Sequence, residues 1–451
     1  MQTPAWKDTI VALATPAGPG AIGIIRLSGE NAWQIATALF PGKDLLQQAS
    51  HTLHVGMLSY KEQPLDEAVV SLYKSPRSYT GEDVVEISCH GSGFILQSVL
   101  AACTQLGARM AKPGEFTLRA FLNGKMDLAQ AESVADLITS QTQAAQRTAL
   151  HALRGGYSSD LKQLREQLIQ FSALIELELD FSQEDVTFAD RTQLRHLIQT
   201  LKKATNQLLD SFRLGNVIKQ GVSVAIIGKP NAGKSTLLNA LLNENRAIVS
   251  DIPGTTRDTI EECIQIKGIL FRFIDTAGIR ENATDVIEAA GIARSQEKIR
   301  SADWILYLFD AQEAWKEMLG WKEQADRAGL NYLLVANKID VSKPPERSDV
   351  IPISALQQVG LDLLKNTLFE KVVGSAVLPD TSLVTNARHL DALQRLAQSL
   401  IDIEQGLDNQ IPGDLLALDI HRGLQYLGEI TGEITSEDQL DYIFSKFCIG
   451  K

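Results

Sequence analysis

The sequence lacks any apolar run approaching the roughly 18 residues needed to cross a bilayer, so no spanning helix is expected. Its amino terminus, Met1-Gln2-Thr3-Pro4-Ala5, lacks the basic region and apolar stretch of a secretory signal, and none is expected. Cysteine is scarce. The four present, Cys89, Cys103, Cys263 and Cys448, are too dispersed for a zinc site or a disulfide framework, which fits a reducing cytosol and predicts a cytoplasmic protein. Basic side chains are in deficit, 43 Lys and Arg against 55 Asp and Glu, for a net charge of −12. That excludes binding nucleic acid through a uniformly basic surface and leaves room only for a local basic groove. No fixed-period repeat or low-complexity tract is present. What remains, 44% hydrophobic and 22% charged residues in a chain of 451, is a soluble globular composition. At the usual domain size it is long enough for about three domains.

The pattern changes character along the chain. Up to about residue 118, short β-like runs dominate (Thr9–Ala14, Ala21–Leu27, Ala68–Tyr73 and Val84–Ser88), separated by turn signals such as Gly18-Pro19-Gly20 and Pro113-Gly114. This predicts an α+β domain. From about Asp127 to Asp180 the period becomes helical, with Leu161, Leu164, Leu168, Phe171 and Ile175 on one stripe, and a second helical block runs from about Arg191 to Arg213. An α/β alternation then occupies Val222 to about residue 372. Past Pro379-Asp380 the helical stripe returns in Leu396, Leu400, Ile403 and Leu407, followed by helix-like stretches at Asp414–Leu427 and Glu437–Phe447. Each flanking helical half needs apolar surface to cover its stripe, and each can cover the other. The expected organisation is therefore residues 1–118, an α+β domain; 119–220, the first helical half; 221–374, an inserted α/β domain; and 375–451, the second helical half. Two separate helical domains are the alternative.

Gly228-Lys229-Pro230-Asn231-Ala232-Gly233-Lys234-Ser235 fits the phosphate-binding loop G-x-x-x-x-G-K-S. It follows the β run Val222–Ile227 and opens an amphipathic helix, Thr236–Leu242, which is the context the motif requires. Its glycines let backbone N–H groups close around phosphates, and the helix amino terminus adds positive potential. Lys234 is expected to reach the β- and γ-phosphates, and the Ser235 hydroxyl to ligate Mg²⁺. Asp275-Thr276-Ala277-Gly278 then resembles D-x-x-G, with Asp275 on the Mg²⁺ shell and the Gly278 N–H at the γ-phosphate. Asn337-Lys338-Ile339-Asp340 matches N-K-x-D, whose carboxylate accepts from guanine N1–H and the exocyclic amine. Adenine offers no such pair, so the element selects guanine. Ser354-Ala355 resembles the loop that supports the guanine carbonyl. Four elements in the expected order predict a Ras-like P-loop GTP-binding domain. Residue 279, where Ras-like proteins carry a water-orienting Gln, is Ile, so the group acting on water must come from elsewhere. Glu281, Asp285 and Glu288 are the candidates downstream. Upstream, Gly254-Thr255-Thr256-Arg257-Asp258 supplies Thr256 for Mg²⁺ and the γ-phosphate, and Arg257 is open between an arginine finger and a pair with Asp258.

Beyond the GTPase motifs, four further stretches mark the chain. They are Ser78-Tyr79-Thr80-Gly81-Glu82-Asp83, Lys112-Pro113-Gly114-Glu115-Phe116, the run Phe121-Leu122-Asn123-Gly124-Lys125-Met126-Asp127-Leu128-Ala129-Gln130-Ala131-Glu132, and the terminal Phe447-Cys448-Ile449-Gly450-Lys451. With Gly254–Asp258, they make the chain resemble the bacterial and organellar tRNA-modification GTPases of the MnmE (TrmE) family over essentially its whole length. The resemblance implies a multidomain α/β and α fold: an amino-terminal folate-binding and dimerisation domain, and a helical domain interrupted by the G domain. It implies a homodimer whose G domains meet on hydrolysis, with K⁺ placed where an arginine finger would put its charge. Asn231, Ser250, Ile252 and Thr255 match the family's K⁺ ligands, and Ala232, Gly233 and Thr236 belong to the matching nucleotide loop. Glu288 falls where the family's catalytic Glu acts on water. Arg26, Glu86, Lys125 and Lys451 fall on the folate site, which takes 5-formyltetrahydrofolate or 5,10-methylenetetrahydrofolate, and Cys448 lies in or near the modification chemistry. The implied partners are tRNA and a flavoprotein of the MnmG or GidA type, with no membrane. The implied product is an aminomethyl or carboxymethylaminomethyl group at carbon 5 of the wobble uridine. A ribosome-assembly GTPase, and a folate-dependent one-carbon transferase with a regulatory G domain, are the competing readings. Cys89, Cys103 and Cys263 are expected to be small core residues, and His90 a turn histidine.

Overall fold

The computed structural model describes residues 8–180, 190–245, 262–274, 302–311, 315–342, 347–374 and 383–450. They form two compact units. One comprises Met1–Ala135, Ala152–Gln199 and Gln398–Lys451, the other Asp136–His151 and Thr200–Ala397.

The first unit contains a six-stranded sheet built from β1 (Ile10–Leu13), β2 (Ile22–Ser28), β3 (Thr52–Tyr60), β4 (Gln63–Tyr73), β5 (Val84–His90) and β6 (Arg109–Met110), in the order β3-β4-β5-β2-β1-β6. All neighbours pair antiparallel except β1 and β6. Helices α1 (Ala32–Leu39) and α2 (Gly93–Gln105) cover one face, where Trp33, Ile35, Leu39, Val99 and Cys103 pack on Ile25, Leu27, Val70 and Ile87. On the opposite face, helix α3 (Glu115–Leu122) sets Phe116 against Ile10 and Ala12. Towards the β3 edge, Leu53, Val55 and Met57 stay exposed. Because side chains alternate along a strand, the register Leu53–Ser71–Glu86–Arg26 puts the Arg26 and Glu86 pair on this second face.

The predicted helical stretch from Asp127 breaks into α4 (Leu128–Thr139), α5 (Gln143–Leu153) and α6 (Gly156–Asp180). Leu161, Leu168 and Ile175 are buried and Leu164 and Phe171 half-buried, so the stripe read from the sequence is the packing face of α6. It lies along α12 (Gly413–Thr431), which brings a segment before the α/β region onto a segment after it. Helix α13 (Glu437–Phe444) ends three residues before the predicted Phe447. Its Leu440 and Phe444 join Phe447, Leu128 and Ala131 in one small core.

The second unit carries β7 (Val222–Ile227), β8 (Glu262–Ile266), β9 (Ile269–Phe273), β10 (Trp304–Asp310), β11 (Tyr332–Asn337) and β12 (Val350–Pro352), ordered β12-β11-β10-β7-β9-β8. Only β8 and β9 pair antiparallel. Every residue of β7 is buried, as a central parallel strand covered on both faces requires. Helices α8 (Lys234–Asn245) and α10 (Leu361–Val373) pack on one face through Leu237, Leu241, Leu364 and Leu368. Helix α9 (Trp315–Arg327) covers the other with Met318 and Trp321. Among the described residues there are also two long helices: α7 (Arg191–Gln220), which runs past the predicted Arg213, and α11 (Ala387–Asp408).

Candidate functional site

The P-loop leaves β7 at its carboxyl end, where a parallel sheet presents its ligand crevice. Two of its glycines are required by the packing. A Cβ at Gly228 would lie 2.0 Å from the Leu308 carbonyl of the neighbouring strand, and one at Gly233 would lie 2.3 Å from the Asn337 carboxamide nitrogen, both at positive φ. Asn231 also has positive φ, 63°, at the exposed crown of the loop. Lys234 opens α8, and its ammonium donates to the Gly228 and Lys229 carbonyls at 2.8 Å each, which holds the cation over the loop. Ser235 is half-buried and Thr236 exposed in the same first turn.

Asn337 ties three of the predicted elements together. Its carboxamide is 3% exposed, donates to the Ala232 carbonyl at 2.8 Å and accepts from the Ala355 N–H at 3.0 Å. The N-K-x-D element therefore braces the P-loop against the Ser354-Ala355 loop. The latter loop is closed on itself, since Ser354 and Val359 exchange backbone hydrogen bonds of 2.9 and 3.0 Å. Lys338 donates to Asp310 at 2.7 Å from the end of β10, and Asp340 stands exposed at the rim. The structure thus brings together Asn231, Ala232, Gly233, Lys234, Asn337, Ser354 and Ala355. Ser250, Ile252, Thr255, Thr256, Arg257, Asp275, Gly278, Ile279, Glu281, Asp285 and Glu288 lie outside the described residues, as does Lys451.

A second cluster lies on the open face of the amino-terminal sheet. Arg26 and Glu86 face each other across β2 and β5, with Nε donating at 2.9 Å and Nη2 lying 2.7 Å from the carboxylate. The guanidinium sits 5.3 Å from the centre of the Tyr79 ring and 5.8 Å from that of Phe116, and donates to the Gly450 carbonyl at 3.4 Å. Burial raises the Tyr79 phenol above its ordinary range, against a hydrogen bond to Thr117 and the charge of Arg26. The carboxyl-terminal tail reaches this cluster because glycine permits it. Gly450 has φ 94° and lies where a Cβ would meet the Leu13 carbonyl at 2.3 Å, and the Gly114 N–H donates to the Cys448 carbonyl at 3.3 Å. Cys448 is exposed, whereas Cys89, Cys103 and Cys263 are buried. Burial pushes the Cys89 and Cys103 thiols up to about 12, as inert core thiols. Lys125 donates to the Pro76 carbonyl at 2.9 Å and lies against Gly81, so it is fixed to the loop that carries Tyr79. His90 ends β5, exposed and paired with Asp66 at 2.7 Å, rather than standing in a free turn.

Sequence reasoning gave no role to the ion-pair network behind this cluster. Arg119 is fully buried and bonds Asp8 at 2.9 Å, Glu115 at 3.1 Å and Glu82 at 3.2 Å, while Arg109 joins Asp8 at 2.7 Å and Glu115 at 2.6 Å. Burial pushes the Asp8 and Glu115 carboxyls up, but the Arg109 hydrogen bonds, with help from Arg119, outweigh it and hold both below their ordinary range. Glu82 also accepts from Ser28, whose hydroxyl lies 2.7 Å from that of Thr80. Two of the marked stretches, Ser78–Asp83 and Lys112–Phe116, are therefore the scaffold that aims the Tyr79 and Phe116 rings at Arg26. Part of the signal was local, since Glu115 pairs with Arg109 and Arg119 six and four residues away, whereas the partners of Glu82 lie far off in sequence.

The family description "GTP-binding protein TrmE N-terminus" matches residues 9–125, and "MnmE helical domain" matches residues 128–448. The "tRNA modification GTPase MnmE" of Cytophaga hutchinsonii is 53% identical over 98% of this chain and 98% of its own. The protein of the same description from Flavobacterium psychrophilum is 48% identical over 99% and 100%. A crystal structure of Aquifex aeolicus Era is 30% identical over 40% of this chain and 67% of its own, with a TM-score of 0.27, too low to bear on the fold. The four-element nucleotide site, the amino-terminal sheet and the terminal Cys-Ile-Gly-Lys tail all occur in a chain that matches such relatives end to end: it belongs to the MnmE family of tRNA-modification GTPases.

Proposed function

We propose that this GTPase uses hydrolysis to drive closure and opening of its G domains during the installation of an aminomethyl-type group at carbon 5 of the wobble uridine in tRNA. It would act as a homodimer with a flavoprotein of the MnmG or GidA type, in the cytoplasm. The domain division is proposed as 1–118, 119–220, 221–374 and 375–451, with the G domain inserted into the helical one. The observation that carries the reading is the Asn337 brace, which holds a phosphate loop and a base-recognition loop in one rigid frame.

Backbone N–H groups of Asn231 to Thr236 and the Lys234 ammonium bind the phosphates, and Asp340 pairs with guanine. Mg²⁺ is assigned to Ser235 and Thr256, with Asp275 on its shell and Gly278 at the γ-phosphate. Ser235 is half-buried in the first turn of α8, which fits a ligand role. A bound K⁺ supplies positive charge to offset that developing between the β- and γ-phosphates. Asn231, with Ser250, Ile252 and Thr255, would hold it, and an exposed carboxamide at positive φ on the loop crown suits an oxygen ligand. Glu288 is proposed to act on the attacking water, consistent with Ile279 standing where a Gln is otherwise used.

Folate is assigned to Arg26, Glu86, Lys125 and Lys451. The donor set fits its two ends, with an acid for the donors of a pterin ring and cations for glutamate carboxylates. The Tyr79 and Phe116 rings beside Arg26 supply apolar surface. A tetrahydrofolate bound there supplies the one-carbon unit. Cys448 is exposed on the tail that reaches the same cluster, a placement that suits a role in or near the modification chemistry.

Mass spectrometry of wobble nucleosides from cells lacking the gene is the decisive experiment. Unmodified wobble uridine is expected. Normal wobble modification alongside immature ribosomes would replace this reading with that of a ribosome-assembly GTPase.

A further inference from the structure

The chain enters the nucleotide-binding sheet once, from α7 into β7, and leaves it once, into α11. Both connections are fastened to a single carboxylate. Asp136, in the last turn and a half of α4, holds the Lys219 ammonium at 2.9 Å with Oδ1, and its Oδ2 accepts from the Thr385 hydroxyl at 3.3 Å. Lys219 lies three residues before β7, the strand that runs into the P-loop, and Thr385 lies two residues before α11. The side chains of Lys219 and Asp136 are 30% and 22% exposed, so the pair is partly withdrawn from water.

The described residues on either side of these connections are closely packed. Gly215 of α7 is pressed so close to the outgoing segment that a Cβ would meet the Val384 carbonyl at 2.1 Å, and the Val384 N–H donates to the Ser211 hydroxyl at 3.1 Å. Gly221, between Lys219 and β7, has φ 72° and would place a Cβ 2.6 Å from the Leu270 carbonyl on β9. The tight turn between β8 and β9 in turn sets Gly268 against Ala144 of α5. A displacement of β7 or β9 therefore works directly against Lys219 and its partner.

Helix α4 is continuous. Its residues up to Ala135 belong to the first compact unit, where Leu128 and Ala131 share a core with Phe444 and Phe447 beside the Cys448 tail. Its residues from Asp136 belong to the second. Helix α4 thus contributes residues to both units.

We propose that Asp136 is the positioning residue that couples the nucleotide site to tRNA modification, by holding the incoming and outgoing connections of the G domain on α4. It bonds Lys219 and Thr385, outside the P-loop frame. The coupling rests on the family's activity as a tRNA-modifying GTPase and on no assigned folate or K⁺ ligand.

The test uses the full-length protein with Asp136→Asn, Lys219→Gln and the charge-swapped pair Asp136→Lys with Lys219→Asp. Guanine nucleotide affinity, GTP turnover and tRNA modified per GTP hydrolysed are measured on each, the last with the cell extract or partner that supports modification by the parent protein. Both single variants should bind GDP within about two-fold of the parent, since neither residue reaches the P-loop. Modification per GTP should fall at least about five-fold, the lower end of measured couplings between sites, and the swapped pair should recover most of the loss. An unchanged ratio in Asp136→Asn would overturn the proposal. So would an equal fall in nucleotide affinity and modification, or a loss that the swapped pair fails to recover although its melting temperature matches the parent's; each points to a merely structural pair. A failure of the wobble-uridine reading appears differently, as no modification by the parent protein itself.

Discussion

A single side chain braces the nucleotide site from within. Asn337 was legible in the sequence as part of N-K-x-D, but the motif names it for its company with Asp340 and says nothing of what it does for the loop. Buried and bonded on both sides, it would leave the Ala232 carbonyl and the Ala355 N–H unpartnered if shortened. Leaving buried polar groups unpaired costs about 1–3 kcal/mol each. Asn337→Ala should therefore weaken GDP binding at least about ten-fold in a fluorescent-nucleotide titration, a change of about 1.4 kcal/mol. A parent-like dissociation constant would show that the loops are held by something else. Asp340 presents the opposite case: it is exposed and holds nothing together, so its removal should alter selectivity and leave the fold alone. Asp340→Asn should keep the parent melting temperature and lose most of the preference for GTP over ATP in competition binding. Retained preference would move guanine recognition elsewhere.

Elements were legible where one pattern dominated. The strand β7 stands where its apolar run ends at Gly228, because a strand buried on both faces reads as continuous hydrophobicity. The edge strand β3 escaped notice for a physical reason. Leu53, Val55 and Met57 alternate as a buried face should, yet they point outward, while His54 and Gly56 point towards the sheet's helices. Helix α2 was hidden by an apolar sequence without a polar face, and Phe94 in its first turn is 80% exposed. The stretch around Asp127 was read as the start of a helical period and as a family mark, without its local device. Structurally it is a capping box: the Asp127 carboxylate accepts from the Gln130 N–H and the Gln130 carboxamide from the Asp127 N–H, each at 2.8 Å. The same Asp127 accepts from Ser158, and Gln130 donates to the Leu153 carbonyl, so the box fastens the start of α4 to the turn before α6. The ion-pair network of β6, α3 and the Glu82 loop makes its own prediction. Asp8 and Glu115 have lowered folded-state pKa values, so their contribution is complete above their ordinary values of 3.8 and 4.5 and is lost as pH falls through the depressed ones. Thermal melts should show the amino-terminal unit losing stability progressively below about pH 4.5, and Asp8→Asn should flatten that dependence. A variant whose acid sensitivity equals the parent's would place the loss in other carboxylates.

At the scale of the whole molecule, composition and periodicity suggested an α/β domain inserted into a helical one, and what they left unmarked is that the boundaries of the compact units fall inside helices, in α4, α5, α7 and α11. The chemistry is divided in the same way. The P-loop frame binds phosphate and base from one polypeptide, but with Ile at residue 279 it has no water-orienting Gln in the Ras position. In the proposed reading, charge that appears between the β- and γ-phosphates is met by a recruited group, and Asn231, exposed at the loop crown, is the described residue proposed to hold it. On the same reading, a cation held by oxygens and completed when two G domains meet would supply that charge without a basic side chain. It follows that hydrolysis, and not binding, should depend on which monovalent ion is present. In KCl and NaCl buffers of equal ionic strength GDP affinity should agree within about two-fold, because the Lys234 and Asn337 contacts do not involve the ion. Turnover should be at least about ten-fold faster in KCl, the size of effect a single oriented charge has on a developing oxyanion. Asn231→Ala should bring the KCl rate down to the NaCl rate while leaving the latter unchanged. Equal turnover in both salts would remove the ion from the mechanism and return the burden to Arg257 or to an acid beyond Asp275.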